Sequence, residues 1–133
     1  MGRVHDPCMS IRHLDSLFDP ASVAVVGASS RPARVGTTVW NNLRHGGFAG
    51  TLMAVNPSYT QLDGLPVVAR VQDLPVPPEL AVICTPPATV PALIDALGAM
   101  GTRAAIVMTA GLTAEQRQAM LDAARRHLLR ILG

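Results

Sequence analysis

A chain of 133 residues is long enough for one domain with a buried core. Apolar residues make up 49% of it and aromatics only 3%, so that core has to be built from Val, Leu, Ala and Ile. A net charge of +2 is too small to draw the chain to nucleic acid or a membrane surface. All eleven basic residues are Arg, which excludes a Walker-type lysine and Schiff-base chemistry. Cys8 and Cys84 stand far apart with no second ligand near either, so neither a zinc site nor a disulfide framework is expected, and Cys84 reads as a small buried hydrophobe. No stretch reaches the length of a membrane span and no signal peptide is visible, so a cytoplasmic location is expected.

Residues 1–9 show no periodicity and read as a flexible leader; a short helix is predicted from Ser10 to Phe18, ended by Asp19-Pro20. Val23 to Val26 is a β-branched run too short for a helix, hence a strand buried on both faces. Small residues follow, then Pro32, then Val35, Val39 and Leu43 at helical spacing, with a stop at His45-Gly46-Gly47. Thr51 to Val55 is the second strand, closed by Asn56-Pro57-Ser58. Gly64 marks a turn, and Pro66-Val67-Val68 is a short third strand. Val71 to Pro78 is a Pro-rich loop with at most a helical turn. Leu80 to Cys84 is the fourth strand, ending at Thr85-Pro86-Pro87. A helix from Thr89 to Met100 carries Pro91 in its first turn, where proline is tolerated. Ala104 to Met108 is the fifth strand, ending at Thr109-Ala110-Gly111. Thr113 and Gln116 make a capping box for a last helix to about Leu129, and Ile131-Leu132 begins another strand.

This alternation predicts an α/β fold: a Rossmann-like, doubly wound parallel sheet in three layers, with about five to six strands in the order 3-2-1-4-5. In such sheets ligands sit beyond the carboxyl ends of the strands where the order reverses. The loops there are Gly27–Gly36, Asn56–Ser58, Thr85–Pro87 and Thr109–Gly111, and none carries a carboxylate. Backbone N–H groups at the start of the first helix suit a phosphate, with Ser29 and Ser30 as added donors and Arg31 and Arg34 as positive charge. One helix N-terminus offers an anion only about 0.3–1 kcal/mol, so such additions are needed. A tight connection that binds nothing is the other reading of the same residues. A nicotinamide dinucleotide fits less well. Gly27 and Gly36 are nine apart with no close third glycine, and the second strand ends at Asn56-Pro57 without an acid for the ribose.

Leu14-Asp15-Ser16-Leu17-Phe18-Asp19-Pro20 leading into Ser22-Val23-Ala24-Val25-Val26-Gly27-Ala28-Ser29 resembles the opening of NDP-forming (ADP-forming) acyl-CoA synthetases. The likeness runs on through Val35-Gly36, Gly47-Phe48-Ala49-Gly50, Val55-Asn56-Pro57, Asp73-Leu74-Pro75, Thr85-Pro86 and Ala110-Gly111-Leu112, roughly residues 14 to 133. The family's CoA-binding domain is related to that of the succinyl-CoA synthetase alpha subunit.

The resemblance implies that residues 10–133 form a CoA-binding domain and a fragment of a longer protein, with CoA or acyl-CoA as the ligand; from the charge and the lack of an apolar span, no nucleic acid or membrane partner is expected. Carried over, it implies that Gly27, Ala28, Ser29, Ser30 and Arg31 wrap the CoA diphosphate, with Arg34, Val35 and Gly36 at the helix start. Asn56, Pro57 and Ser58 lie near the adenosine; Thr85, Pro86, Pro87, Thr109, Ala110 and Gly111 line the groove toward pantetheine. Members often have a basic residue where this chain has Ser58. The resemblance also implies a parent reaction that joins a carboxylic acid to CoA through acyl phosphate and phosphohistidine, with the phosphohistidine and ATP-grasp domains, ATP/ADP and Mg2+ expected outside this chain. No catalytic residue and no metal ligand is assigned here. His45 reads as a helix C-terminal residue and His127 as part of a solvated face. A regulatory module of a fused protein acetyltransferase, a stand-alone CoA-binding protein and an NAD(P)-binding domain remain as alternatives; the oligomeric state is left open.

Overall fold

The computed structural model describes residues 20–132, so the predicted leader and the Ser10–Phe18 helix lie outside the described residues. The elements run β1 (Ser22–Val26), α1 (Val35–His45), β2 (Thr51–Val55), β3 (Gln61–Leu62), β4 (Leu65–Val68), β5 (Leu80–Ile83), α2 (Val90–Met100), β6 (Ala104–Val107), α3 (Ala114–His127) and β7 (Arg130–Leu132). Short 3-10 turns at Val71–Asp73 and Pro87–Thr89 lie on either side of β5.

The seven strands form one sheet in the order β3-β4-β2-β1-β5-β6-β7. The expected 3-2-1-4-5 core is present, with a parallel register from Ser22↔Thr51 to Val26↔Val55 on one side of β1 and from Val23↔Leu80 to Val26↔Ile83 on the other. The direction of winding therefore reverses between β1 and β5. One strand was not foreseen. β3 pairs antiparallel with β4 through a two-residue turn in which Asp63 (φ 52°) and Gly64 (φ 78°) are both left-handed, so the sheet is mixed. A strand of two residues is too short to show an alternating pattern. Its fixing point is the indole N–H of Trp40 on α1, which donates to Asp63 Oδ2 at 2.8 Å and satisfies a nitrogen on an otherwise buried ring.

Alternation along the strands sorts the core into two layers. Ala24, Val26, Ala81, Ile83, Ala105 and Val107 meet Val90, Ile94 and Leu97 of α2 and Met120 and Ala124 of α3. Val25 and Ala54 pack with Trp40, while Val39 and Leu43 of α1 also meet Val23 and Val82. Small strand residues let the helices come close. The same device operates between helices: a Cβ at Gly98 on α2 would stand 2.5 Å from Cβ of His127 on α3. His127 is therefore not on a solvated face. It lies half-buried against α2, with Nε2 2.9 Å from Asp95 Oδ1. The capping box is present at both of its bonds, Gln116 N–H to Thr113 Oγ1 at 3.0 Å and Thr113 N–H to Gln116 Oε1 at 2.9 Å.

Candidate functional site

At the carboxyl edge of the sheet, over the reversal between β1 and β5, opens a cleft of about 870 Å³. That volume suits a sizeable organic ligand. Its floor is the connection from β1 to α1. Gly27 N–H donates to Val55 O of β2 at 2.8 Å, and Gly27 adopts φ +96°, where an added Cβ would stand 2.8 Å from the O of Cys84, the residue after β5. A side chain fits there neither conformationally nor sterically. Gly36, in the first turn of α1, is buried against the carbonyl oxygen of Gly27, and any Cβ would run into it. These two glycines thus bring the helix start against the strand end, which is what puts the amides of the turn at the mouth of the cleft. Arg34 holds the N-cap position and supplies no side-chain acceptor to the first turn of α1.

Of the residues predicted from the turn, Gly27, Ser29, Arg31, Arg34, Val35 and Gly36 line the cleft. Ala28 does not: its methyl is fully buried in the core with Trp40, and its carbonyl accepts from Asn56 Nδ2 at 2.8 Å. Ser30 lies beside the cleft rather than on its wall, because its N–H and hydroxyl are turned toward Tyr59. From β2, Asn56, Pro57 and Ser58 all line the site. The Asn56 side chain is used internally at both ends, since Oδ1 accepts Ser58 N–H at 2.8 Å while Nδ2 holds Ala28.

Thr85, Pro86 and Pro87 line the opposite wall with Thr109 and Ala110. Thr109 Oγ1 donates to Thr85 O at 2.7 Å, tying the β5 and β6 loops together. Gly111 is not on the wall; it takes φ +87° next to Pro87 and turns the chain away toward α3.

Several cleft residues went unremarked in the sequence. Tyr59 stands over the turn with its hydroxyl 3.1 Å from Ser29 Oγ and 3.3 Å from Ser30 Oγ, and Ser30 N–H donates to it at 3.1 Å. The hydrogen bond to Ser29, then those from the Ser30 hydroxyl and N–H, with the charge of Arg31, lower its pKa to about 8. Arg70 and Gln72, just after β4, line the far end; Met108 and Leu93 give apolar surface. Cys84 also lines the cleft instead of lying wholly inside the core, and desolvation pushes its thiol up to about 11, so it stays protonated. Only the Asn-Pro turn before Tyr59 could have pointed to it. Arg31, Arg34 and Arg70 give the lining positive charge, and no Asp, Glu, His or Lys is among the lining residues. The arrangement can hold an anion; among the described residues it presents no carboxylate, imidazole or amine to move a proton.

Residues 21–133 match the CoA binding domain family. The chain belongs to that family. This CoA binding domain is 33% identical over 126 residues to the ADP-forming acetate–CoA ligase I of Archaeoglobus fulgidus, covering 90% of this chain and 18% of that protein. It is 35% identical over 113 residues to trans-feruloyl-CoA synthase FCS1 from an unknown prokaryotic organism, covering 85% of this chain and 16% of that one. Among solved structures it superposes with a TM-score of 0.85 and 35% identity on the dinucleotide-forming acetyl-coenzyme A synthetase 1 of Ca. Korarchaeum cryptofilum, solved with phosphate and ADP. That match covers 90% of this chain and 27% of that one. The chain thus spans less than a fifth of the two curated relatives. Among the described residues no helix is long and apolar enough to cross a membrane, and no group of three or more His, Cys, Asp or Glu could hold a metal ion.

Proposed function

We propose that this domain binds coenzyme A, free or acylated, in the cleft above β1 and β5. The diphosphate lies against the β1–α1 turn, held by backbone amides, Ser29, Arg31 and Arg34. The adenosine end points toward Asn56–Ser58, and the pantetheine arm runs between Thr85–Pro87 and Thr109–Ala110. The observation that carries this reading is the composition of the cleft at the sheet reversal, which among the described residues is lined with three arginines and amide or hydroxyl donors and without an acid. Such a lining favours a polyanion.

Membership in the CoA binding domain family supports the choice of coenzyme A over other anions. In the parent protein the domain serves an ADP-forming acyl-CoA synthetase, in which further domains handle the nucleotide, Mg2+ and the phosphoryl group. Those domains are its partners. On its own the domain binds and does not transform.

Calorimetry on the chain with coenzyme A and with NADH tests the reading. Saturable binding of coenzyme A at a stoichiometry of one, with NADH weaker or silent, is expected. Binding of NADH in preference to coenzyme A overturns it.

A further inference from the structure

The positive charge of the cleft is placed at two separate points. Arg31 and Arg34 stand on the turn after β1, while Arg70 follows β4. In the sheet β4 lies beyond β2, two strands from β1. Neighbouring strands are about 4.8 Å apart, so the two points of charge are separated by roughly 10 Å at the backbone. The register extends this placement past the strand ends. Val55 pairs with Val68 and Asn56 N–H continues the ladder to Val68 O at 2.9 Å, so the chain leaves β4 beside the start of the Asn56–Ser58 turn, and Arg70 lines the same cleft as Pro57 and Ser58.

Coenzyme A carries its negative charge in the same two-part pattern, with a diphosphate on the 5′ oxygen of the ribose and a monophosphate on the 3′ oxygen. A diphosphate on the turn leaves the ribose phosphate directed toward the Asn56–Ser58 end, where, among the described residues, Arg70 is the cationic side chain that lines the cleft. The Asn56 amide is already spent on Ala28 and Ser58. Arg70 is held ready. Asp73 accepts from its Nε at 3.4 Å and from Nη2 at 3.1 Å, which orients the guanidinium from one edge only. A guanidinium has five donors, so the other edge retains enough to take a phosphate.

We propose that Arg70, positioned by Asp73, recognises the 3′-phosphate of the ribose, so that this cleft distinguishes coenzyme A from dephospho-coenzyme A. The inference rests on the coenzyme A reading above and adds the residue that sets its selectivity.

The test is calorimetry of the chain and of Arg70→Gln with both ligands, folding being checked by circular dichroism. The wild-type chain is expected to prefer coenzyme A by about tenfold or more. Arg70→Gln should lose that preference by weakening coenzyme A alone, with dephospho-coenzyme A unchanged, and Arg70→Lys should restore part of it. Equal affinity of the wild type for the two ligands, a preference that survives in Arg70→Gln, or an equal loss of both ligands overturns the role of Arg70 while leaving coenzyme A binding in place. A wild-type chain that binds neither ligand overturns the coenzyme A reading itself.

Discussion

The phenolic oxygen of Tyr59 accepts the backbone N–H of Ser30 at 3.1 Å, and so occupies a donor of the turn beside the cleft. Ser29 and Ser30 hydroxyls converge on the same oxygen. Three groups suited to a phosphate oxygen therefore already surround an oxygen of the chain. The tyrosine ring is fixed from behind by packing on the cluster that contains Val25, Trp40 and Leu62.

Tyr59 is the sole tyrosine of the chain, so its ionisation can be read directly from tyrosinate absorbance. The midpoint is expected at about 8 in the folded chain, because Ser29 first and then Ser30 stabilise the phenolate, against the ordinary value of 10.0 regained in denaturant. A folded pKa below the unfolded one means that this group adds stability as pH rises from about 8 to 10 and none below that window. Saturation with coenzyme A should move the midpoint upward, since a diphosphate brings negative charge and competes for the same donors. By linkage, coenzyme A binds more weakly above pH 8 than below it. A midpoint that coenzyme A does not move would place the diphosphate away from this turn.

Replacing Arg31 and Arg34 together by Gln should weaken coenzyme A and dephospho-coenzyme A alike, by about tenfold or more, because both ligands carry the diphosphate. Both side chains are exposed, so thermal stability should hardly change. Calorimetry at two salt concentrations checks the point: the wild-type affinity falls with salt more steeply than that of the double variant.

Gly36→Ala introduces a methyl into the carbonyl of Gly27, which is backbone and cannot swing aside. The turn has to open. A loss of roughly 1–3 kcal/mol in urea denaturation is expected, together with loss of coenzyme A binding. Alanine tolerated there with full affinity would show that the close approach of α1 to β1 is not what shapes the turn.

Gly98→Ala tests the helix pair remote from the cleft. The added methyl meets Cβ, Cγ and Cδ2 of His127 at 2.5–2.6 Å, so a loss of about 1–3 kcal/mol is expected with coenzyme A affinity retained. In Gly98→Ala with His127→Ala the methyl has room, and the combined loss should be smaller than the sum of the two single losses. Denaturation of the four proteins supplies the cycle.

The amino-acid order alone determined the layered α/β plan, the 3-2-1-4-5 strand core and the turn after β1. Those features arise from local causes: a β-branched run such as Val23 to Val26, a capping pair such as Thr113 and Gln116, and the right-handed crossover. Family resemblance in the same residues pointed to coenzyme A. Tertiary structure alone decided which side chains surround the cleft. Ala28 and Gly111 neighbour true wall residues along the chain yet face away from the space, because alternation at a strand end and a left-handed glycine redirect successive residues. Tyr59 and Arg70 come to the cleft from beyond β2 and β4. Tyr59 meets Ser29 across 30 positions of the chain and His127 packs on Gly98 from another helix, separations at which no local pattern records which partners will meet.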